Sequence, residues 1–348
     1  MKLYLFAGLA LLLVCGPLTL RVAAEVDERQ SPVRQVALGV ARWDGHDLAS
    51  LDAFSSSIGD RDPAIWVIWS QWGAPERREF PSAVAEGLAA RGVTPMIWWE
   101  PVDPSDLSDP TYPRHRNISR GDHDAYIRRF ARDAKAFGHT VLLRFAHEAN
   151  GSFFPWSVER FDNSPRQFIR AWRHVHRLFA EVGADNVRMV WSVAKQTCAG
   201  GCNPYRSVYP GDPFVDVVGM SSHNWGAMKD RWVPMLDGVE RIAGHLAEIT
   251  DKPLMIAELG SNGEGGDKAA WIREGYRAAY ERLPGVSAIV YLDVDLREMG
   301  HPDWRLDSSA DAVAAYAEIA ALEAFAGRAP FAAPGTVAVS APESSAGP

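Results

Sequence analysis

Eight short apolar runs recur along the 348-residue chain, and stretches with helical spacing lie between them. The runs are Val36–Val40, Ala64–Trp69, Thr94–Trp99, Thr140–Phe145, Val187–Trp191, Val215–Met220, Pro253–Ala257 and Ala288–Leu292. Near-continuous apolarity, as opposed to alternation, marks strands buried on both faces, the condition of a parallel sheet covered by helices. Asp124–Phe137 places Tyr126, Ile127, Phe130, Ala131, Ala134 and Phe137 on one helical face. Pro165–Val182 does the same with Phe168, Ile169, Trp172, Val175 and Phe179. Ser164-Pro165 reads as an N-cap with proline in the first turn, and Gly138 and Gly183 read as stops. Glu240–Ile249 and Lys268–Arg282 supply two more helices. Eight strands alternating with helices predict an α/β chain folded as a (β/α)8 TIM barrel over residues 33–325. A doubly wound open sheet is the competing architecture. It ordinarily places a glycine-rich phosphate loop after its first strand, where this chain has Ala41-Arg42-Trp43-Asp44.

The flanks differ from this core. Residues 1–24 read as a signal peptide: Lys2, an apolar stretch from Leu3 to Leu20, then Val22-Ala23-Ala24 as a small-residue cleavage site. A retained anchor is the alternative, and Gly16-Pro17 favours cleavage. The mature chain is expected to be secreted or periplasmic, with no membrane insertion after leader cleavage. Residues 326–348, rich in Ala, Pro and Ser, read as a flexible tail. Of three cysteines, Cys15 falls in the leader, leaving Cys198 and Cys202 around Ala199-Gly200-Gly201. An oxidising compartment predicts a disulfide between them. Two thiols without a nearby histidine make an incomplete metal site.

Barrel chemistry gathers at the carboxyl ends of the strands. The fourth run ends in Arg144-Phe145-Ala146-His147-Glu148, followed by Ala149-Asn150-Gly151. The seventh ends in Ile256-Ala257-Glu258. Glu148 and Glu258 therefore face one mouth, as the proton donor and the second carboxylate of glycosidic hydrolysis must. Structural ion pairing with Arg144 or Lys195 is the other use of these glutamates. Glu100, between Trp99 and Pro101, is a third carboxylate, suited to binding substrate or clamping a loop. Thirteen tryptophans are many for this length, and Trp99, Trp156, Trp225 and Trp304 fall near run ends, where an indole suits a sugar ring face. Asn150-Gly151-Ser152 matches a glycosylation acceptor, but a glycan beside Glu148 would obstruct the cleft, so Asn150 reads as a site residue. The net charge of −8 gives no reason to expect nucleic acid as partner. No ligand cluster points to a metal, no cofactor is implied, and the chain is read as a monomer acting on a β-linked polysaccharide.

From Trp98 to Asp307 the sequence resembles glycoside hydrolase family 26, best known for endo-β-1,4-mannanases. The likeness includes Arg144 to Gly151, Pro155-Trp156, Gly183 to Val187, Trp191, Tyr209 to Asp212, Val215-Asp216, Gly219, Lys252-Pro253, Glu258 to Ser261, Lys268 to Trp271 and Trp304 to Asp307. It implies a retaining endo-β-glycanase with Glu148 as acid/base and Glu258 as nucleophile. It also implies that His147 binds the sugar being cleaved, that Trp304 forms an aromatic floor and that Arg305 contacts the non-reducing side. Two positions depart from the family pattern. Phe153 stands where a tryptophan is common, and His223 where a tyrosine hydrogen-bonds the nucleophile. The family also holds β-1,3-xylanases and enzymes of mixed-linkage glucans, so the resemblance leaves mixed-linkage β-glucan, β-1,3-xylan or a bacterial exopolysaccharide as the alternative to β-1,4-mannan. A non-catalytic carbohydrate-binding barrel is the alternative from another class.

Overall fold

The computed structural model describes residues 33–108, 114–196 and 204–329. Eight strands form a closed, all-parallel barrel in chain order: β1 (Ala37–Ala41), β2 (Ile65–Gln71), β3 (Thr94–Glu100), β4 (Val141–Phe145), β5 (Val187–Ala194), β6 (Val217–Asn224), β7 (Leu254–Ser261) and β8 (Val286–Leu292). β8 closes on β1 through Ala37↔Ala288 to Ala41↔Leu292. The (β/α)8 expectation is met, and β2, β3, β5, β6 and β7 run on past their apolar runs into polar residues.

The helices are α1 (Leu48–Ser57), α2 (Ser82–Ala90), α3 (His115–Arg120), α4 (Asp124–Phe137), α5 (Pro165–Val182), α6 (Leu236–Ala247), α7 (Lys268–Arg282) and α8 (Ala310–Ala320). Ser164 caps α5 by accepting from Gln167 N, and Gly138 and Gly183 end α4 and α5 at φ 75° and 74°. Both glycines take the left-handed conformation that a Cβ disfavours. The strand–helix alternation departs at two places. Two helices, α3 and α4, separate β3 from β4, and the described residues between β5 and β6 hold two 3-10 turns, Arg206–Val208 and Asp212–Phe214, with no α-helix.

Two apolar layers result from strand alternation. On β2, Ile65, Val67 and Trp69 face the barrel interior, while Trp66 and Ile68 pack outward under the helices. Each such buried side chain contributes roughly 1.5–3 kcal/mol. The interior is tight: a Cβ on Gly219 would lie 2.7 Å from Ser192 Cβ and 2.8 Å from Ala257 Cβ.

Three expectations fall wholly or mostly outside the described residues. The 1–24 leader and most of the 326–348 tail lie outside the described residues. Chain packing continues beyond Phe325, since Gly327 bridges to Ala37 and Ala329 is buried. The expected Cys198–Cys202 disulfide is not borne out: among the described residues no disulfide bond is found, and Cys15, Cys198 and Cys202 all lie outside those residues. Short spacing permits closure, but an S–S bond also demands a specific Cα separation and torsion that spacing does not impose. Among the described residues no helix is long and apolar enough to cross a membrane.

Candidate active site

Arg144 is the centre of the mouth. It is the fourth residue of β4 and fully buried. Its Nε donates to Ser192 Oγ at 2.7 Å and its Nη2 to Ser221 Oγ at 2.9 Å. Its Nη1 donates to Glu258 Oε2 at 2.7 Å, and its Nη2 lies 3.9 Å from Glu148 Oε1. The guanidinium also stacks 4.5 Å from the Trp98 ring. Both glutamates expected from the sequence thus reach one cation.

Each glutamate arrives there by a different backbone device. On β7, Met220 pairs with Ile256 but Ser221 pairs with Glu258, so one extra residue sits in the strand. The β8 side shows the same offset between Ile256 and Leu259. This bulge breaks the alternation: Met255 and Ala257 face the interior, Ile256 and Leu259 face outward, and Glu258 turns inward to Arg144. Glu148 lies past the end of β4, in a turn where Ala146 (φ 43°) and Glu148 (φ 53°) are left-handed. Such non-glycine conformations cost on the order of 1–3 kcal/mol each and persist only where the surroundings enforce them. Here Ala146 N donates to Trp99 O at 3.1 Å and Glu148 N to Ser192 O at 3.0 Å.

The electrostatics separate the pair. Burial raises the Glu148 pKa, and the neighbouring Glu258 charge raises it further against Arg144 and His223. Burial also acts to raise Glu258, but Arg144 first and then His223 overcome it and hold the group well below the ordinary carboxylate range. The two pKa values are thereby pushed apart, Glu148 upward and Glu258 downward, in the sense that acid catalysis beside a nucleophile requires. His223, half-buried on β6, places Nε2 3.3 Å from Glu258 Oε1, within ion-pair range but off the line of a well-formed hydrogen bond.

Other expected residues distribute unevenly. Glu100 lies in the mouth, accepting from Gln71 Nε2 at 2.8 Å, with Oε1 3.9 Å from His147 Nε2. Burial pushes the Glu100 pKa up to about 7. The buried His147 ring packs on Trp98, Phe154 and Trp156, and burial followed by Arg144 keeps it neutral by lowering its pKa well below 6.5. Trp156 is buried, stacked on Phe154 with ring centres 4.4 Å apart, and donates its indole N–H to His147 O at 2.7 Å. It orients the histidine. Phe153, in contrast, is 53% exposed.

Trp304 packs 5.1 Å from the His223 ring and edge-on to the half-buried Trp225. Its loop is fastened by Lys268, whose Nζ donates to Trp304 O, Arg305 O and Ser308 Oγ at 3.2, 2.6 and 3.1 Å. Arg305 itself pairs with Asp303 at 2.8 Å. Two expectations change. Trp99 points outward, donating to Tyr126 Oη at 3.0 Å within the helix layer. The inward indole on β3 is its neighbour Trp98, two residues before Glu100. Asn150 gives its amide to β5, exchanging bonds with Ala194 N and O at 2.9 Å each. It holds the β4–α5 loop in place. Among the described residues no group of three or more His, Cys, Asp or Glu side chains is placed to hold a metal ion.

The model of glycosyl hydrolase family 26 matches residues 90–269, which carry Arg144, Glu148, His223 and Glu258. The chain belongs to this family. It is 35% identical over 239 residues to Endoglucanase H of Acetivibrio thermocellus, covering 67% of this chain and 25% of that protein. A β-1,3-xylanase of a Vibrio species is 31% identical over 149 residues, 41% of this chain and 28% of that protein. The chain therefore spans about a quarter of the length of these curated relatives. Among solved structures, the catalytic domain of an endo-β-1,4-mannanase from Bacillus sp. JAMB-750 superposes with a TM-score of 0.64 at 17% identity, over 84% of this chain and 87% of that one. That likeness establishes the shared fold.

Proposed function

We propose that this family 26 barrel is a retaining endo-β-glycanase. The observation that carries the reading is the pair of buried glutamates on Arg144, Glu258 in direct contact with the guanidinium and Glu148 standing off, with burial and the Glu258 charge raising the Glu148 pKa and the cation lowering that of Glu258. Glu258 attacks the anomeric carbon as Glu148 donates its proton to the departing glycosidic oxygen. The C–O bond to the leaving sugar breaks and an ester to Glu258 forms. Esterification removes the Glu258 charge, which had raised the Glu148 pKa, so Glu148 becomes a better base in the second step. It then takes a proton from water, whose oxygen displaces Glu258 and restores the β configuration.

The substrate is a β-linked polysaccharide cleaved internally. β-1,4-Mannan is the first reading, from the family to which the chain belongs and from the 29% identity over 129 residues to a mannan endo-1,4-β-mannosidase of Caldalkalibacillus mannanilyticus. A β-glucan is the second, favoured by the likeness to Endoglucanase H. Reducing-end release from mannan, glucomannan, mixed-linkage glucan and β-1,3-xylan tests both. No release from any of them would overturn the glycanase reading. NMR of the first-formed product tests retention, and an initial α anomer from a β-linked substrate would refute it. The leader-like composition of residues 1–24 supports export of the mature chain. N-terminal sequencing of exported protein should begin near Glu25, and a mature chain still starting at Met1 would contradict cleavage.

A further inference from the structure

All thirteen tryptophans fall within the described residues, and Trp43 alone is exposed, at 37%. It sits in the loop between β1 and α1, outside the residues 90–269 that match the family model. An exposed indole contributes little to folding, yet this loop is built to hold it still. Gly45 comes so close to β2 that a Cβ there would overlap Val67 O. Its own carbonyl accepts from the buried Trp66 indole at 2.9 Å. Asp44 accepts from Ser50 Oγ at 2.7 Å, and Asp47 N donates to Asp44 O at 2.8 Å. The Trp43 N–H reaches Asp295 O of the β8–α8 loop at 3.4 Å.

The indole is also continuous with the catalytic centre. Trp43 lies 5.0 Å from Trp69, Trp69 lies 4.6 Å from Trp98, and Trp98 carries Arg144 against its face. The buried two, Trp69 and Trp98, form the wall, and the third emerges into solvent. The β8–α8 loop that supports Trp43 also carries Trp304, and in the barrel order β8 lies four strands from β4, whose following loop carries the acid/base, which places Trp43 on the side away from the leaving group.

We infer that Trp43 is the stacking platform of a distal sugar-binding subsite on the non-reducing side of the cleavage point, taking one pyranose ring of the same β-linked chain. This rests on the glycanase reading. Carbohydrate ring faces are apolar and suit an indole whose orientation is fixed in advance. Asp44 and Asp295 lie beside it with carboxylates partly open to solvent, as acceptors for ring hydroxyls.

The test is a length series. Hydrolysis of manno-oligosaccharides and mixed-linkage gluco-oligosaccharides of graded length is compared with that of a short activated aryl glycoside, in the full chain and in Trp43→Ala and Trp43→Phe. The expected result is that the ratio of kcat/KM for the longest oligosaccharide to that for the aryl glycoside falls about tenfold in Trp43→Ala, through KM, and is largely restored in Trp43→Phe. An unchanged ratio in Trp43→Ala overturns the subsite while leaving the glycanase standing. No hydrolysis of any member by the parent chain overturns the glycanase reading itself.

Discussion

The ends of β4 and β7 solve one problem in two ways. Both must aim a glutamate at Arg144, and both lie at the carboxyl rim of the same barrel. β7 does so inside a hydrogen-bonded ladder, with one extra residue that turns Glu258 inward. β4 does so after its ladder has ended, through two left-handed residues in a turn. The strand-held carboxylate is the one gripped directly by the guanidinium at 2.7 Å. The turn-held one stands off at 3.9 Å, and its pKa is raised by burial and by the Glu258 charge. An ionised nucleophile needs a fixed cation, whereas an acid that later acts as base needs to be less tightly paired, so that its proton affinity follows the charge of its neighbour.

Substitutions that remove one side or the other sharpen this contrast. Glu258→Ala should lower turnover by on the order of 10⁵ or more for all substrates, because the covalent route is gone. Azide should restore activity and yield an α-glycosyl azide, and a β product would break the assignment. Glu148→Ala should cost roughly 10²–10⁴ on glycans with poor leaving groups and much less on activated aryl glycosides. Azide should there give the β-glycosyl azide, and equal losses on both substrate types would show that Glu148 is not the acid. Next comes Arg144→Lys, which keeps a charge and loses the fork. Glu258 should then titrate higher. Activity is lost as pH falls through the Glu258 pKa, so the acid limb of the pH–rate profile should move upward, with kcat reduced about 10²-fold. An unmoved acid limb would detach Arg144 from the nucleophile.

The smallest effect concerns Glu100, which holds its proton up to about pH 7 in the fold. A carboxyl raised in this way contributes stability below its unfolded pKa and loses it as pH rises through the folded one. The parent chain should therefore lose thermal stability between about pH 4.5 and pH 7, by a few degrees. In Glu100→Gln that slope should flatten, as calorimetry across the range would report. An identical slope in both proteins would place the proton elsewhere.

The barrel itself was legible because eight apolar runs each had to be buried on two faces, and α4, α5 and α7 fall where the spacing and the capping residues put them. The polar extensions of the strands were harder to see. β6 continues through Ser221-Ser222-His223-Asn224 and β7 through Glu258-Leu259-Gly260-Ser261, which resemble loops until the barrel mouth buries them. Glu148 and Glu258 could be picked out as acids next to such ends. The orientation of Glu258 could not, because a bulge depends on the partner strands and leaves no local signature. Strict alternation from Glu100 would have chosen Trp98 over Trp99. Asn150 shows the opposite limit: its side chain is taken up by β5, forty-four residues onward, and no nearby sequence announces that bond. In the connection between β5 and β6, the described residues form 3-10 turns that no pattern in the sequence distinguished from a full helix.

Lys268 has a bearing on how such an enzyme can be rebuilt. It is the first residue of α7, and its ammonium is buried against two carbonyls and a hydroxyl of the segment after β8. Two neighbouring βα connections are thereby sewn to each other at a single stitch. A graft that imported a new β8–α8 loop from another barrel, to alter what the mouth recognises, would have to present the same acceptors in the same place. Without them a cation is stranded in the interior. The two connections form one exchangeable module, and swapping both should preserve the fold where swapping one would weaken it.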